Sequence, residues 1–494
     1  MSQNDMIIDN STGANVRADI NSALQAIATN NTGSSAPSTN YVSQFFANTT
    51  SGIMQINNTS GNAFINLFTL TGGPAFAVDG TINSVNIGKG ANSVSGNTVL
   101  GESALDDSVS GENNTAIGKA ALGAATSGAN NTAVGANALD AVTTGSANTA
   151  LGRSALGANT TAGNNTAVGY FSLLVNTTGA SNTAVGTRSL DANSTGDSNT
   201  AIGLNALTEN TTASNNTALG MEALKANTTA SNNVAVGRSA LLVNTTGADN
   251  TALGANALDA NTTASNNTAV GKAALGANTT GSSNVAVGQG ALSTNTTASS
   301  NTAIGQNALN TNSTGTLNTA VGKSALASNN TGDNNTAVGV NTLLVNTTGA
   351  SNTAVGRSSL EANTTGTNNV AFGQSALFSN TSASNNTALG RSALKNNTTG
   401  DKNVAVGRSA LEANTTASNN VAIGDEALKS NTTGHRNIAI GARAAELLTT
   451  GTSCVAIGYE VLEDNTTGSN NIAIGDSAME LNTTGGNNTA VGHS

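Results

Sequence analysis

The chain has 494 residues and a net charge of −10 at neutral pH, and only 9% of its residues are charged and 2% aromatic. This excludes a clustered basic face for nucleic acid, and no basic amphipathic stretch favours a membrane surface. Few charges and many β-branched residues also argue against intrinsic disorder. The start, M-S-Q-N-D-M-I-I-D-N, lacks the pattern of a secretory signal, and no apolar run approaches a membrane span. We therefore expect synthesis in a cytoplasm and no membrane insertion.

Residues 1–70 predict a small α+β N-terminal module. Apolar side chains at helical spacing predict one amphipathic helix over residues 15–28, formed around Val16, Ile20, Leu24 and Ile27. Residues 30–40 are predicted to be a loop. Three strand-like runs follow at residues 41–47, 53–56 and 63–70, separated by N-T-T-S-G and N-T-S-G turns. The aromatic residues that would build this small core include Tyr41, Phe45, Phe46 and Phe64.

Residues 71–96 are predicted to be a linker and a cap. They contain G-G-P-A-F-A-V-D-G and then S-V-N-I-G, which is similar to the start of the repeat described next but is out of phase with it. A stack of coils needs such a cap to cover the backbone edge of its first coil. We expect this segment to form the cap and an irregular first coil.

Residues 97–494 repeat a motif of 17 residues, which reads N-T-A-L-G-A-N-A-L-D-A-N-T-T-A-S-N from Asn250 to Asn266. Glycine holds the fifth place of every copy from Gly101 to Gly492, a span of 391 residues or 23 steps of 17. A fixed period of this length predicts a solenoid, in which each repeat is one coil and stacked neighbours bury a continuous core.

The restricted places of the motif define the predicted core. Place 1 is Asn in 23 of 24 copies, the exception being Cys454, and place 4 is Val, Ile or Leu except at Phe372. Place 3 is Ala except at Val99, and place 9 is almost always Leu, whereas the charged residues lie at the variable places. The predicted ladder residues recur at these places: Asn250, Asn267, Asn284, Ala252, Ala269, Gly254, Gly271, Leu258 and Leu275.

The repeat predicts an all-β fold, a parallel β-solenoid or β-roll. Places 1–4 suit a short strand, and Gly at place 5 supplies a backbone conformation that other residues avoid. The Ala-Leu pair at places 8 and 9 predicts a second short strand, and N-T-T-G or N-T-T-A predicts the second bend. Stacking in register would place the Asn side chains of place 1 in an inward column of hydrogen-bonded amides.

The strand at places 1–4 is restricted on both of its faces. Places 1 and 3 face one way and places 2 and 4 face the other, so a lone solenoid should leave one pair free to vary. The simplest explanation is that the outer face packs against another copy, in a homotrimer with three-fold symmetry. The alternative is a monomeric roll in which the outward Thr and Val only favour strand formation.

The N-terminal stretch carries a resemblance to a known family. It reads S-T-G-A-N-V-R-A-D-I-N-S-A-L-Q-A-I, then A-P-S-T-N-Y, then T-T-S-G-I-M-Q-I-N-N. This resembles the N-terminal module of tail-fibre proteins of tailed bacteriophages, with Phe46 and Phe64 where the family often has Trp. The resemblance implies that residues 1–70 fix a fibre to other virion proteins, and that the protein is located in the virion. The anchoring residues would be Val16, Ile20, Leu24, Ile27, Tyr41, Phe45, Phe46 and Phe64.

The repeat array carries a second resemblance. Its N-T-A-V-G-x-x-A-L core is similar to the coil repeats in the heads of trimeric autotransporter adhesins, which form a parallel β-roll in a trimer. The full repeat of 17 residues resembles arrays found in phage fibres. Together the two resemblances imply a structural virion fibre that projects toward the host and contacts a surface receptor there.

No sequence pattern indicates catalysis or a cofactor. The two histidines, His435 and His493, lie at a turn and near the end without patterned partners, and no metal-ligand spacing or phosphate loop occurs. We therefore expect no enzymatic activity, no metal site and no cofactor. The alternatives to a virion fibre are a bacterial surface adhesin or filament, an ice-binding solenoid with columns of Thr, and an amyloid-like assembly.

Overall fold

The computed structural model of the chain describes residues 32–35, 45–50, 53–57, 64–69, 80–82, 84–107 and 109–493. Its internal contacts divide the chain into two units, Met1–Ser146 (unit 1) and Ala147–Ser494 (unit 2). Among the described residues the regular elements are β-strands, apart from one 3-10 turn at Ala91–Ser93. The predicted all-β solenoid is confirmed. The predicted helix at residues 15–28 lies outside the described residues.

Unit 1 begins with a four-stranded sheet in the order β1-β2-β3-β4. Its strands are Thr32–Gly33 (β1), Phe45–Asn48 (β2), Ile53–Asn57 (β3) and Phe64–Thr69 (β4). Strands β2, β3 and β4 pair antiparallel and correspond to the three predicted runs. Within the loop predicted at residues 30–40, β1 forms a two-residue strand that pairs parallel with β2.

An antiparallel hairpin covers the first coil of unit 1. The hairpin consists of Gly80–Ile82 (β5) and Val85–Gly88 (β6), and β6 pairs antiparallel with the first coil strand, Thr98–Gly101 (β7). The S-V-N-I-G stretch, which was expected to form the cap and an irregular first coil, lies in this antiparallel hairpin. It reverses direction at Ser84, whose φ is 67°. The hairpin occupies the outer backbone edge of β7, which would otherwise be open to pairing with another chain.

Within each unit, successive later strands pair in parallel at a spacing of one repeat. In unit 1, β7 pairs with Thr115–Ile117 (β8), which pairs with Thr132–Val134 (β9). Unit 2 continues the pattern with 21 strands, each three residues long and each joined to its successor in parallel.

The strands of unit 2, β10 to β30 in chain order, are Thr149–Leu151, Thr166–Val168, Thr183–Val185, Thr200–Ile202, Thr217–Leu219, Val234–Val236, Thr251–Leu253, Thr268–Val270, Val285–Val287, Thr302–Ile304, Thr319–Val321, Thr336–Val338, Thr353–Val355, Val370–Phe372, Thr387–Leu389, Val404–Val406, Val421–Ile423, Ile438–Ile440, Val455–Ile457, Ile472–Ile474 and Thr489–Val491. The register is uniform, since Thr251 lies opposite Thr268 and Ala252 opposite Ala269. At one strand spacing of about 4.8 Å, 20 steps make a stack of roughly 96 Å within unit 2.

Places 5–12 of a coil form two successive turns, so the predicted second strand at places 8 and 9 is wrong. The amide of Ala257 donates to the carbonyl of Gly254 at 3.3 Å, and the amide of Asn261 donates to that of Leu258 at 3.1 Å. The backbone is left-handed at Asn256 (φ 58°) and at Leu258 (φ 52°). This path turns Ala257 and Leu258 inward together, and both are fully buried. In a strand, two adjacent side chains would face opposite ways.

The core of the coil is the one that the sequence predicted, with three additions. Places 1, 3 and 9 are buried, as Asn250, Ala252 and Leu258 show with no exposed surface. The added buried places are 8, 12 and 15, at Ala257, Asn261 and Ala264. Small apolar, Leu and Asn side chains therefore fill the inside of each coil.

One coil exchanges the sizes of its core residues. Ala445 occupies place 9 and Leu448 occupies place 12, where other coils have Leu and Asn, and Val461 replaces Ala at place 8 of the next coil. All three side chains are buried. The larger Leu448 and Val461 fill the volume that Ala445 leaves. Since Leu448 donates no hydrogen bond, Asn431 Oδ1 is left without a partner among the described residues.

We expect these three positions to be energetically coupled. Ala445→Leu alone should lower stability by about 1–3 kcal/mol, because it overpacks a filled core. The triple variant Ala445→Leu, Leu448→Asn, Val461→Ala restores the volumes and the donor to Asn431, and should be at least as stable as the wild type. Urea unfolding of the single, double and triple variants measures this coupling. Additive effects of the three changes would contradict it.

Candidate functional site

The predicted Asn column at place 1 is present and buried, but its main partner is the backbone. The Oδ1 atom of Asn250 accepts the amide N–H of Asn267 at 3.0 Å, and Nδ2 of Asn267 donates to the carbonyl of Gly281 at 3.0 Å. A direct contact between side chains is longer, 3.3 Å from Asn284 Nδ2 to Asn267 Oδ1. The Asn side chains of place 1 therefore tie the start of each strand to the preceding coil.

Cys454 takes the place of Asn in this column and keeps part of its bonding. Its amide donates to Asn437 Oδ1 at 3.0 Å, and its Sγ donates to the carbonyl of Gly468 at 3.3 Å. Burial raises the pKa of the Cys454 thiol. The thiol is therefore a structural substitute for an amide donor, and a poor nucleophile.

A second Asn ladder, at place 12, was missed in the sequence. Nδ2 of Asn261 donates to Oδ1 of Asn244 at 2.8 Å and to the carbonyl of Ala264 at 3.0 Å. Asn278 repeats the bond to Asn261 at 2.9 Å. These are direct amide ladders along the stack. The recurrence of Asn before T-T is the sequence signal for this ladder, although the same residues also predict a turn.

The outer sheet face of unit 2, formed by places 2 and 4 of its coils, is half-buried to exposed, with an apolar residue at every place 4 and Thr in most coils at place 2. Place 4 is Val, Ile, Leu or Phe in all 21 strands of unit 2. Leu253 is 46% exposed, Ile304 is 41% and Phe372 is 40%. Place 2 also turns apolar toward the end of unit 2, at Val404, Val421, Ile438, Val455 and Ile472. Place 4 thus gives the outer sheet face a continuous apolar strip, while other apolar side chains, such as Leu204, Val340 and Leu447, are exposed elsewhere on the coils.

The two Thr columns that follow place 12 have different surroundings. At place 13 the hydroxyl of Thr245 donates to the carbonyl of Thr262 at 3.0 Å, so this column ties one coil to the next. At place 14, Thr in 19 of the 20 full coils of unit 2 lies exposed, as at Thr263; the exception is Ser382. Only place 14 therefore forms an exposed hydroxyl column.

Stacking brings together one acidic cluster that the linear sequence does not reveal. Carboxylate oxygens of Glu460, Glu463 and Glu480 lie within 4.8 Å of one another. These residues occupy places 7 and 10 of neighbouring coils, so only the repeat register makes them adjacent. Arg443 lies beside them, donates to Glu460 at 2.6 Å and also pairs with Glu463. Because the guanidinium already neutralises part of the cluster, we assign no metal ion to it.

Glu463→Gln is expected to raise the melting temperature near pH 7. Burial raises the pKa of Glu463 above its usual 4.5, and this outweighs the lowering by Arg443. The folded state thus favours the protonated form, and the stability that this contributes is lost as the pH rises from the unfolded pKa through the folded pKa. The advantage of the Gln variant should disappear near pH 4. Calorimetry at both pH values tests this, with Glu361→Gln as the same change at place 10 of a distant coil; a lower melting temperature near pH 7 would contradict it.

The predicted anchoring residues are only partly described. Phe46 is 2% exposed and packs within the four-stranded sheet of unit 1, beside the buried Ala47. The side chains of Phe45 and Phe64 and all of Val16, Ile20, Leu24, Ile27 and Tyr41 lie outside what the structure describes. The anchoring role of this set therefore stays a prediction, with only the burial of Phe46 described.

Comparison with known proteins gives no relative. No protein-family model, curated protein or solved structure matches the chain. The described residues include no helix with the length and apolar character that a membrane crossing requires. The chain is a repeat protein of the parallel β-solenoid class, as its strand pairing defines.

Proposed function

We propose that this protein is a structural virion fibre, a homotrimer anchored by residues 1–70, whose coils project from the particle and support attachment to a host-cell receptor. The observation that carries this proposal is the exposed apolar strip on the outer sheet face of unit 2. Exposed contiguous apolar patches of more than a few hundred Å² are rare on monomers and mark interaction sites.

The dimensions of the strip suit association with further copies. A stack of roughly 96 Å carrying strands about 10 Å long presents on the order of 1,000 Å², and a stable interface buries about 800 Å² per partner. A second copy is the natural occupant, because its strip has the same length and the same spacing of 17 residues. Three copies is the number that the resemblance to trimeric adhesin heads implies.

The uniform coils favour a mechanical role over a binding pocket. Apart from the interruptions at Leu448 and Cys454, the coils of unit 2 repeat the same Asn ladders, and we expect these many identical hydrogen bonds to make the stack resist bending. The anchoring and receptor-contacting roles rest on the resemblance of the N-terminal stretch, and the four-stranded sheet around Phe46 is compatible with a docking module.

Light scattering coupled to size exclusion tests the proposal. We expect a mass three times 48.2 kDa for the full chain. Leu253→Lys combined with Ile304→Lys should reduce the mass toward that of a monomer, because it introduces charges into the apolar strip. Thr263→Lys, an exposed change away from the strip, serves as the matched control. A wild-type chain that elutes as a monomer contradicts the proposal.

Ice binding is a second candidate, favoured by the exposed Thr column at place 14. Ser194 and Ser313 stand at place 13, where most coils have Thr, and their hydroxyls donate to the next coil. They therefore leave the exposed Thr column at place 14 unchanged. One column defines a line and not a plane, however, which limits any match to an ice surface. Thermal hysteresis of the purified chain would decide, with Thr263→Lys combined with Thr280→Lys as the variant expected to abolish it.

A further inference from the structure

Two charged edges border the outer sheet face of unit 2. The chain enters each strand from places 16 and 17, here called the leading edge, and leaves it through places 6 and 7, the trailing edge. Lys323 is an exposed trailing-edge residue, and Asp333 is a half-buried leading-edge residue of the same repeat. A strand separates the edges by on the order of 15–20 Å.

The charges on these edges are matched in five repeats of unit 2, whereas eight further repeats carry a trailing-edge charge opposite an uncharged leading edge. Five repeats of unit 2 carry a charged residue on the leading edge, and every one carries the opposite charge on its trailing edge. The matched sets, trailing edge first, are Arg188 with Asp197, Arg238 with Asp249, Lys323 with Asp333, Arg391 with Asp401, and Asp425 and Glu426 with Arg436. The last set has the reverse polarity. Lys402, beside Asp401, adds one further cation.

Four of the five matched sets form no ion pair among the described residues, whereas Asp425 and Glu426 of the fifth set pair with Arg408 in the preceding coil. Every ion pair of the described residues joins places 6, 7 and 10, as between Arg408 and Asp425 at 2.8 Å, and none reaches the leading edge. Unit 1 offers one charged leading edge, at Glu112, and there the trailing-edge Glu102 has the same charge. The matching is therefore a property of unit 2.

A hydrogen bond within the chain explains why place 16 is a small polar residue, but it does not explain why that residue is charged in some repeats. Oδ1 of Asp333 accepts the amide N–H of Thr316 at 2.6 Å. Ser265 accepts the equivalent amide, from Ala248, through its hydroxyl at 3.0 Å. Ser performs this role without a charge, so the coincidence of Asp with a cation on the opposite edge needs another explanation.

Symmetry supplies that explanation. Rotation about an axis parallel to the coil stack keeps all copies pointing the same way. It places the leading edge of one copy beside the trailing edge of the next. Asp333 leads into β21 and Lys323 follows β20, so the two lie within about one strand spacing, roughly 4.8 Å, of each other along the stack. A two-fold axis perpendicular to the stack, along the strands, would instead reverse the coil order and bring edges of the same kind together. Only the parallel arrangement pairs Lys323 with Asp333, and the reversed set at Arg436 follows the same rule.

We propose that copies of this chain associate in parallel and in the same coil register, with the leading edge of each against the trailing edge of its neighbour and the outer sheet faces enclosed between them. This rests on the self-association in the proposed function and specifies its geometry. The edge pairs contribute little affinity each, since they are exposed, but they exclude antiparallel and shifted arrangements.

Disulfide crosslinking of the full chain tests the arrangement. Lys323→Cys and Asp333→Cys are combined in a Cys454→Asn background, which removes the native thiol and restores the Asn column. After mild thiol oxidation, we expect denaturing electrophoresis to show covalent oligomers up to the native copy number. Each single Cys variant should migrate as a monomer on the same denaturing gel. Arg391→Cys with Asp401→Cys gives an independent second pair should the first variant fold poorly.

The matched control shifts the register. Lys323→Cys combined with Thr367→Cys places the second thiol at place 16 two coils further on, roughly 10 Å away along the stack, and should give no crosslink. Light scattering of the reduced samples separates the two proposals. Oligomers that fail to crosslink at both matched pairs, or that crosslink through Lys323→Cys alone, overturn the edge arrangement and leave self-association standing. A monomer overturns both.

Discussion

Replacing Gly271 by Ala is expected to destabilise the chain by on the order of 4 kcal/mol, whereas the same change at Gly276, five residues along, costs nothing. The backbone at Gly271 has a φ of 131°, where a side chain is strained. An added Cβ would also lie 2.6 Å from the carbonyl oxygen of Gly288 in the next coil. Because that oxygen belongs to the backbone of a packed coil, it cannot move aside without shifting the coil.

Gly276 is the matched control for this prediction. An added Cβ there meets the Asp259 carboxylate at 3.2 Å, and that flexible side chain can move. Place 10 accepts many residue types in other coils, and Gly276→Ala should be neutral or stabilise by up to about 1 kcal/mol through the unfolded state. Urea unfolding and hydrogen exchange measure both. Equal effects of the two changes would show that the close approach of place 5 to the next coil is not what restricts it to Gly.

Asn261→Asp is expected to destabilise the chain by about 4 kcal/mol or more near pH 7. Nδ2 of Asn261 donates to Asn244 Oδ1 and to the carbonyl of Ala264. A carboxylate there would face two acceptors in a fully buried position, losing two donors and burying an unpaired charge. The folded state would raise the pKa of the introduced carboxyl, so the loss should shrink as the pH falls toward 4.

Asn266→Asp is the same chemical change at an exposed position of the same coil. Asn266 has a φ of 61°, which Asp also tolerates, so stability should change by less than about 0.5 kcal/mol. Hydrogen exchange should show the Asn261→Asp loss as faster exchange in the coils next to it, because each coil contacts only its neighbours. An Asn261→Asp variant that melts like the wild type would refute the energetic role of the place 12 ladder.

The sequence predicted the period, the parallel stacking and most of the core, because these follow from the spacing of Asn, Ala, Gly and Leu. It did not predict the backbone at Leu258. A left-handed conformation costs Leu about 1–2 kcal/mol, so local preferences argue against it. Full burial of a Leu side chain contributes about 1.5–3 kcal/mol and offsets that cost. Packing between coils therefore decides the backbone conformation at Leu258, and the local conformational preference of Leu does not predict it.

Among the candidate functional features, the sequence indicated the outer sheet face but not the place 12 ladder or the cluster around Arg443. The restriction of places 2 and 4 indicated an outer face with something to contact, and the exposed Leu253 and Ile304 lie on such a face. The place 12 ladder and the cluster around Arg443 could not be predicted from local sequence, because they join residues that are 17 or 20 positions apart. Which of these residues come into contact depends on how successive coils stack.

The uniform register of unit 2 has an evolutionary consequence. A duplication or loss of one complete repeat in the coding sequence would leave every remaining residue with the same kind of neighbour above and below. In a homo-oligomer all copies would inherit the change together, so contacts between copies would stay aligned. A gain or loss of any other length would misplace Asn, Gly and Leu at once. Selection can therefore lengthen or shorten such a molecule in whole repeats, while shifts of one or two codons are removed.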